Sequence, residues 1–317
     1  MNGWTEAVSK TQNRKFYFHV ATGRRQWDAP DTEIENNKEA IRNFYETSSE
    51  FEKEPNLLTL LKSSIFYEFT YDLNNDWINS SNTFRVLDLG CGKNANDLKL
   101  WEELKCTDYV GVDASLSVKM SQPNVKFVMG DYEGENVWAK LCAQKFDVVS
   151  CMLTMQYAFS DKYCAKTLFA NIFKVLSLHG RVLMIVPDAE QLKHKQIFKS
   201  EIKEQLLYGD KYKRGTLPEW WIWDKTIEEL ILPYNDLEML PSINLTKFAS
   251  WIGYFMPKLN TLRTFEFQLH HSEAMKNTLH EIPSSEDWKT LSLYKLIVIR
   301  KRKTCCGFQY KVDYNKI

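Results

Sequence analysis

The chain has 317 residues, enough for one large core and a small module beside it. Lysine and arginine total 41 and aspartate and glutamate total 41, so no global basic excess marks a nucleic-acid partner and any polyanion site must be local. Seven cysteines form no Cys-x-x-Cys pair, and no run of about eighteen apolar residues occurs, which argues against a disulfide framework, a metal site and a membrane span. The expectation is a soluble, unsecreted protein with free thiols and no membrane partner.

Residues 3–30, GWTEAVSKTQNRKFYFHVATGRRQWDAP, place two tryptophans around an aromatic strand and a proline three residues after the second. This stretch resembles a WW domain, implying a small all-β module over residues 1–31. The resemblance makes Trp4 and Pro30 a structural buckle and assigns Tyr17 and Trp27 to an exposed groove. Such a groove takes a polyproline-II segment, which arrives already extended. Where many WW domains have a histidine after the aromatic strand this chain has Val20, which weakens Pro-Pro-x-Tyr ligands. Ser9, Lys10 and Arg14 leave a phospho-Ser-Pro ligand open beside a plain Pro-rich one. Residues 32–50 are polar and read as a linker passing into a helix.

From 51 to 304 the pattern changes. An apolar helix over 57–66 carries Lys62, and then short β-rich runs alternate with helix-length segments: FRVLDL, YVGVD, VKFVMGD, FDVVSCM and RVLMIVP. Alternation of this kind predicts a Rossmann-like α/β fold, a mostly parallel sheet with helices on both faces. The last run, LSLYKLIVIRKR, follows without a crossover helix and is expected as one antiparallel strand. The aromatic stretch GDKYKRGTLPEWWIWD reads as a hairpin or lid between sheet strands, with Trp220, Trp221 and Trp223 open to stacking on RNA bases but better suited to burying the lid against the domain.

The first βα turn, LDLGCGKNAND, loosely fits a dinucleotide fingerprint. An acid directly before the first glycine is unwelcome beside a pyrophosphate. Asp88 is such an acid, and it suits the ammonium and sulfonium of S-adenosylmethionine instead. Asp113, at the next strand tip, can take both ribose hydroxyls, and Asp131 sits where an adenine amino group would be met. Three acids at three successive strand ends make the constellation specific for that cofactor.

Together LDLGCGKNANDLKLW, FDVVSCMLTMQYAF, LSLHGRVLMIVPDAEQL and SSEDWKTLSLYKLIVIRKRK resemble, in order and spacing, the RNA cap guanine-N7 methyltransferases. The resemblance implies that Lys62 holds the carboxylate of S-adenosylmethionine. It also implies that Gly90, Asp113 and Asp131 line the cofactor and that Met152 replaces a glutamine near the adenosyl group. Tyr157 would lie between cofactor and cap base, Pro187 would pack on the guanine, Tyr294 would close the site and Lys93 would meet the cap phosphates.

Besides Met152, several positions depart from the family pattern. Gln156 replaces a guanine-contacting histidine, and the guanine-binding glutamate aligns with Asn235, with Asp236 and Glu238 nearby. Leu58 replaces an asparagine, and Asn94-Ala95-Asn96 replaces a pair of glycines, which removes glycine's freedom for positive φ. Methylation at N7 needs no proton removal, so no catalytic base is expected and the enzyme works by positioning.

The expected function is cap N7 methylation with altered cap affinity. Capped RNA, other capping enzymes and a Pro-rich tail of the transcription machinery are the expected partners, in the nucleus or at a cytoplasmic viral transcription site. Two other readings are a non-catalytic WW adaptor and a methyltransferase for another RNA position or a small molecule. A basic tail over 305–317 is either an RNA contact or a solvated terminus.

Overall fold

The computed structural model describes residues 3–20, 23, 25–27, 29–30, 32–47, 56–74, 84–118, 122–194, 208, 211–214, 217–252 and 286–302. The basic tail therefore lies outside the described residues.

The N-terminal module is a three-stranded antiparallel sheet of β1 (Trp4–Val8), β2 (Lys15–His19) and β3 (Arg25–Gln26). Side chains alternate along β2, and the register pairs Trp4 with His19 and Glu6 with Tyr17. Tyr17 thus lies on the Trp4 face, where its hydroxyl donates to Glu6 Oε2 at 3.3 Å. Phe16 lies on the opposite face, its ring 6.1 Å from that of Trp27, and the Arg14 guanidinium sits 5.3 Å over Trp27. The expected Tyr17–Trp27 groove is corrected accordingly: a period of two puts Phe16, one residue earlier, beside Trp27.

The segment read as a linker is largely a helix, α1 (Thr32–Thr47). Ile41, Phe44 and Tyr45 recur at helical spacing and give it an apolar stripe that packs on the main core. Helix α2 (Asn56–Asn74) follows.

Next come β4 (Arg85–Leu89), α3 (Leu98–Glu103), β5 (Asp108–Asp113), β6 (Val125–Met129), α4 (Glu135–Leu141) and β7 (Phe146–Met152). A 3₁₀ turn (Met155–Ser160), α5 (Lys162–Val175), β8 (Leu176–Pro187) and α6 (Ala189–His194) continue the chain. The hairpin of β9 (Lys211–Arg214) and β10 (Leu217–Trp220) leads to α7 (Asp224–Ile231), β11 (Leu237–Met239), β12 (Ile243–Asn244) and α8 (Leu245–Ser250). A short helix, α9 (Glu286–Leu291), precedes β13 (Tyr294–Lys301).

The main sheet runs β11-β13-β8-β7-β4-β5-β6. Strands β4 to β8 are parallel, while β13 pairs antiparallel with both β8 and β11. Alternate residues feed two cores. Leu87, Val149 and Val182 face α1, α4, α5 and α7, while Val86, Val148 and Leu183 face α2, α3 and α8. Because β5 and β6 lie on one side of β4 and β7 and β8 on the other, the carboxyl ends of β4 and β7 open the crevice where such sheets hold ligands.

Candidate active site

At that crevice the three acids stand on adjacent strands. Asp88 is near the end of β4, Asp113 ends β5 and Asp131 lies two residues past β6. Asp88 is 1 % exposed and accepts a 2.8 Å hydrogen bond from the Tyr109 hydroxyl. Burial and the nearby charge of Asp97 push its carboxyl up to about 7, against the opposing pull of Tyr109 and Lys62. Lys62 Nζ meets Asp97 Oδ1 at 3.1 Å with both side chains buried. Asp88 itself makes no ion pair among the described residues, so two buried carboxylates face a single lysine in this cluster. That deficit suits one incoming ammonium. Asp97 was not anticipated from sequence, although it follows the Asn94-Ala95-Asn96 run directly.

Asp113 is held by the turn it faces. Its Oδ2 accepts from the Gly92 amide at 2.9 Å, and Oδ1 accepts from the amide and hydroxyl of Ser115 at 2.8 and 2.7 Å. Asp131 Oδ1 accepts from the Glu133 amide at 2.8 Å. Gly90 has φ +73°, and a Cβ there would stand 2.2 Å from Thr154 Oγ1, so only glycine lets the β4 turn pass the end of β7. Gly92 has φ +79°, with open space where its Cβ would be. Ala95 takes φ +50° and is buried. The expectation that this run forgoes positive φ is thus corrected: the left-handed bend is kept on an alanine, at a cost of ~1–2 kcal/mol. Lys93 is exposed beside it, its carbonyl tied to Ser117.

On the other side of the crevice the chain gathers residues from five distant segments. Met152 closes β7 and is buried; Gln156 and Tyr157 follow on the 3₁₀ turn. Pro187, the last residue of β8, pairs in register with Tyr294, the first of β13. The Tyr157 hydroxyl meets that of Tyr45 on α1 at 2.8 Å, and its ring lies edge-on to Trp220. At the centre is Glu219 of β10, 2 % exposed. Its Oε2 accepts from the Tyr294 hydroxyl at 3.0 Å and its Oε1 faces Gln156 Nε2 at 3.5 Å. Gln156 Nε2 also donates to the Leu153 carbonyl at 2.8 Å, which leaves Gln156 Oε1 buried without a partner.

Asn235 does not join this group. It is exposed in the turn between α7 and β11. Strand β11 pairs with the far end of β13, Leu237 opposite Lys301, so Asn235 lies toward the opposite end of β13 from Tyr294. Asp236 and Glu238 are there too, paired with Lys301 and Arg302. The acid in the cluster is Glu219, sixteen residues earlier in the chain. Its signal was a lone acid inside a tryptophan-rich strand, LPEWW, a segment read only as a lid.

Comparison with known proteins identifies the family and the fold. Residues 35–214 match the mRNA (guanine-N(7))-methyltransferase domain and residues 2–30 match the WW domain. The mRNA cap guanine-N(7) methyltransferase of Caenorhabditis briggsae is 28% identical over 278 residues, covering 69% of this chain and 73% of that one. The Caenorhabditis elegans protein of the same name is 28% identical over 153 residues, 43% of this chain and 39% of its own length, so that match spans about two fifths of the relative. Among solved structures, the plantazolicin methyltransferase BamL superposes with a TM-score of 0.51 at 15% identity, covering 86% of this chain and 97% of that one, a likeness of fold. The profile match extends over more than half of the chain and takes in the acids of β4 to β6: the chain belongs to the mRNA (guanine-N(7))-methyltransferase family.

Proposed function

We propose that this protein transfers a methyl group from S-adenosylmethionine to N7 of the guanine that caps an RNA 5′ end. The observation that carries the reading is the buried carboxylate of Glu219 between Gln156 and Tyr294. Guanine presents two donors side by side, N1–H and the 2-amino group, and a carboxylate is the side chain that accepts both. When bound, S-adenosylmethionine supplies an electrophilic methyl group on a positively charged sulfur.

The chain's residues then act by placement. Asp88 accepts the cofactor's ammonium, Lys62 takes its carboxylate, Asp113 takes the ribose hydroxyls and Asp131 the adenine amine, with Gly90 and Met152 lining the pocket. Pro187, Tyr157 and Tyr294 hold the guanine plane, and Lys93 meets the phosphates. N7 has a lone pair, so no residue removes a proton. Methylation puts a positive charge on the base, and Glu219 at its edge favours the transition state over the neutral guanine. The aromatic rings of Tyr157 and Trp220 favour that cation as well.

The WW module supplies recruitment. Phe16 and Trp27 form the groove for a Pro-rich segment such as a transcription-machinery tail, and Arg14 lies over Trp27, at hand for a phosphate on that ligand. The site of action is the nucleus, alongside the other capping activities. Incubation with labelled S-adenosylmethionine and GpppRNA tests the central reading. Label recovered as 7-methylguanosine is the expected result, and an unlabelled cap in the presence of bound cofactor would overturn it.

A further inference from the structure

Pro187 and Tyr294 are chain neighbours of one buried polar cluster, and the strand that carries Glu219 leads into it. Pro187 is followed by Asp188, and Tyr294 by Lys295. Strand β10, with Glu219, continues through a bridge between Ile222 and Asp188 into α7, which begins at Asp224. Lys295 is 2 % exposed. Its Nζ lies 2.7 Å from Asp224 Oδ1, 2.7 Å from Glu190 Oε2 and 3.9 Å from Asp188 Oδ1. Asn244 Nδ2 donates to Asp188 Oδ2 at 3.2 Å and to the carbonyls of Ser292 and Tyr294 at 2.9 and 3.2 Å. The Asp188 amide donates to the Leu293 carbonyl at 2.7 Å, and the Ser242 hydroxyl donates to Asp224. Burial pulls the Lys295 ammonium down, but Asp224 and Glu190 outweigh it and hold its pKa above the ordinary lysine value.

A buried ion cluster adds little stability over an apolar replacement of the same shape, whereas removing one member leaves uncompensated charge. What such a cluster contributes is one permitted geometry. We propose that Lys295 is a positioning residue: its ion pairs lock α6, α7 and β13 together and thereby set the spacing of Pro187, Glu219 and Tyr294 around the guanine. The inference rests on the cap-methyltransferase reading above. Lys62, Asp88, Asp113 and Asp131 stand on α2 and on or just beyond β4 to β6, and none of them bonds to the cluster, so the cofactor side is independent of it.

The test uses Lys295→Met, Asp224→Asn and Glu190→Gln in the full chain. The KM for GpppRNA, kcat, the Kd for S-adenosylmethionine and the melting temperature are measured for each. Phe173→Leu serves as a control, because the ring of Phe173 packs on Phe169 and Tyr234 rather than on Pro187, Glu219 or Tyr294. Asp224→Asn is expected to raise the KM for GpppRNA ~10-fold while cofactor Kd stays within about twofold. Glu190→Gln should act in the same direction but less, since Glu190 is half exposed. Lys295→Met should exceed both; if it does not fold, the two carboxamide variants decide. The control should lose melting temperature without moving KM. A KM in Asp224→Asn that moves no more than in the control, or that moves together with cofactor Kd, would overturn the inference. A wild-type protein that neither methylates nor binds the cap would instead overturn the reading on which it rests.

Discussion

The two halves of the crevice are built in different ways. The half proposed for the cofactor draws its acids from consecutive strand tips, β4 to β6: Asp113 and Asp131 are held by amides a few residues away or on the neighbouring turn, and Asp88 by the Tyr109 hydroxyl of the adjacent strand. The half proposed for guanine is assembled from residues 156, 187, 219 and 294, which meet through side chains and strand pairing, with an ionic cluster beside Pro187 and Tyr294. A site built from local geometry tolerates change elsewhere. One assembled from distant segments depends on whatever fixes those segments relative to one another. That difference predicts that substitutions will separate cofactor binding from cap binding.

The sharpest separation should come from Glu219→Ala. Loss of the carboxylate is expected to lower kcat/KM for GpppRNA ~100-fold or more, the scale of a lost transition-state charge partner. Calorimetric binding of S-adenosylmethionine should be unchanged. Next, Asp113→Ala should weaken cofactor binding ~30-fold through the lost bidentate ribose contact while cap-analogue affinity holds. Equal damage to both affinities by either variant would erase the distinction.

Protonation probes the cofactor half alone. The Asp88 carboxyl is raised to about 7 in the fold, above its ordinary 3.8. A raised acid binds an extra proton in the folded state, so its stabilising contribution is complete below the ordinary value and is lost as pH rises through about 7. Cofactor binding runs the other way, because the ammonium requires the ionised form. Affinity for S-adenosylmethionine should therefore increase from pH 6 to pH 8, by ~10-fold at most, and Asp88→Asn should flatten the profile. Cap-analogue affinity should follow no such trend.

The smallest effects concern the loop and the excluded residue. Ala95→Gly relieves a left-handed alanine and should raise stability by ~1 kcal/mol, read as a higher melting temperature with activity nearly unchanged. Asn235→Ala should leave kcat/KM within about twofold, as expected of an exposed surface position. A large loss there would return Asn235 to the guanine site.

The same contrast explains what could be read from sequence. Strand alternation announced the parallel sheet, the antiparallel β13 and the hairpin, because each carries a local signal in period or turn residues. The strand-end positions of the acids at 88, 113 and 131 were legible for the same reason. The place of Glu219 was not: nothing in LPEWW announces that β10 folds back over the 3₁₀ turn and brings this acid to Gln156 and Tyr294. In the small module an error of one residue, Tyr17 for Phe16, changed faces because a strand alternates. The early start of helix α1 was obscured by its polar composition, which reads as a linker before the Ile41, Phe44 and Tyr45 stripe.

The most direct test of the account is a structure with S-adenosylhomocysteine and a GpppG cap analogue. The Glu219 carboxylate is predicted within hydrogen-bonding distance of guanine N1 and the 2-amino group, with N7 turned toward the cofactor sulfur. A guanine bound away from Glu219, or with N7 facing away from the sulfur, would contradict it.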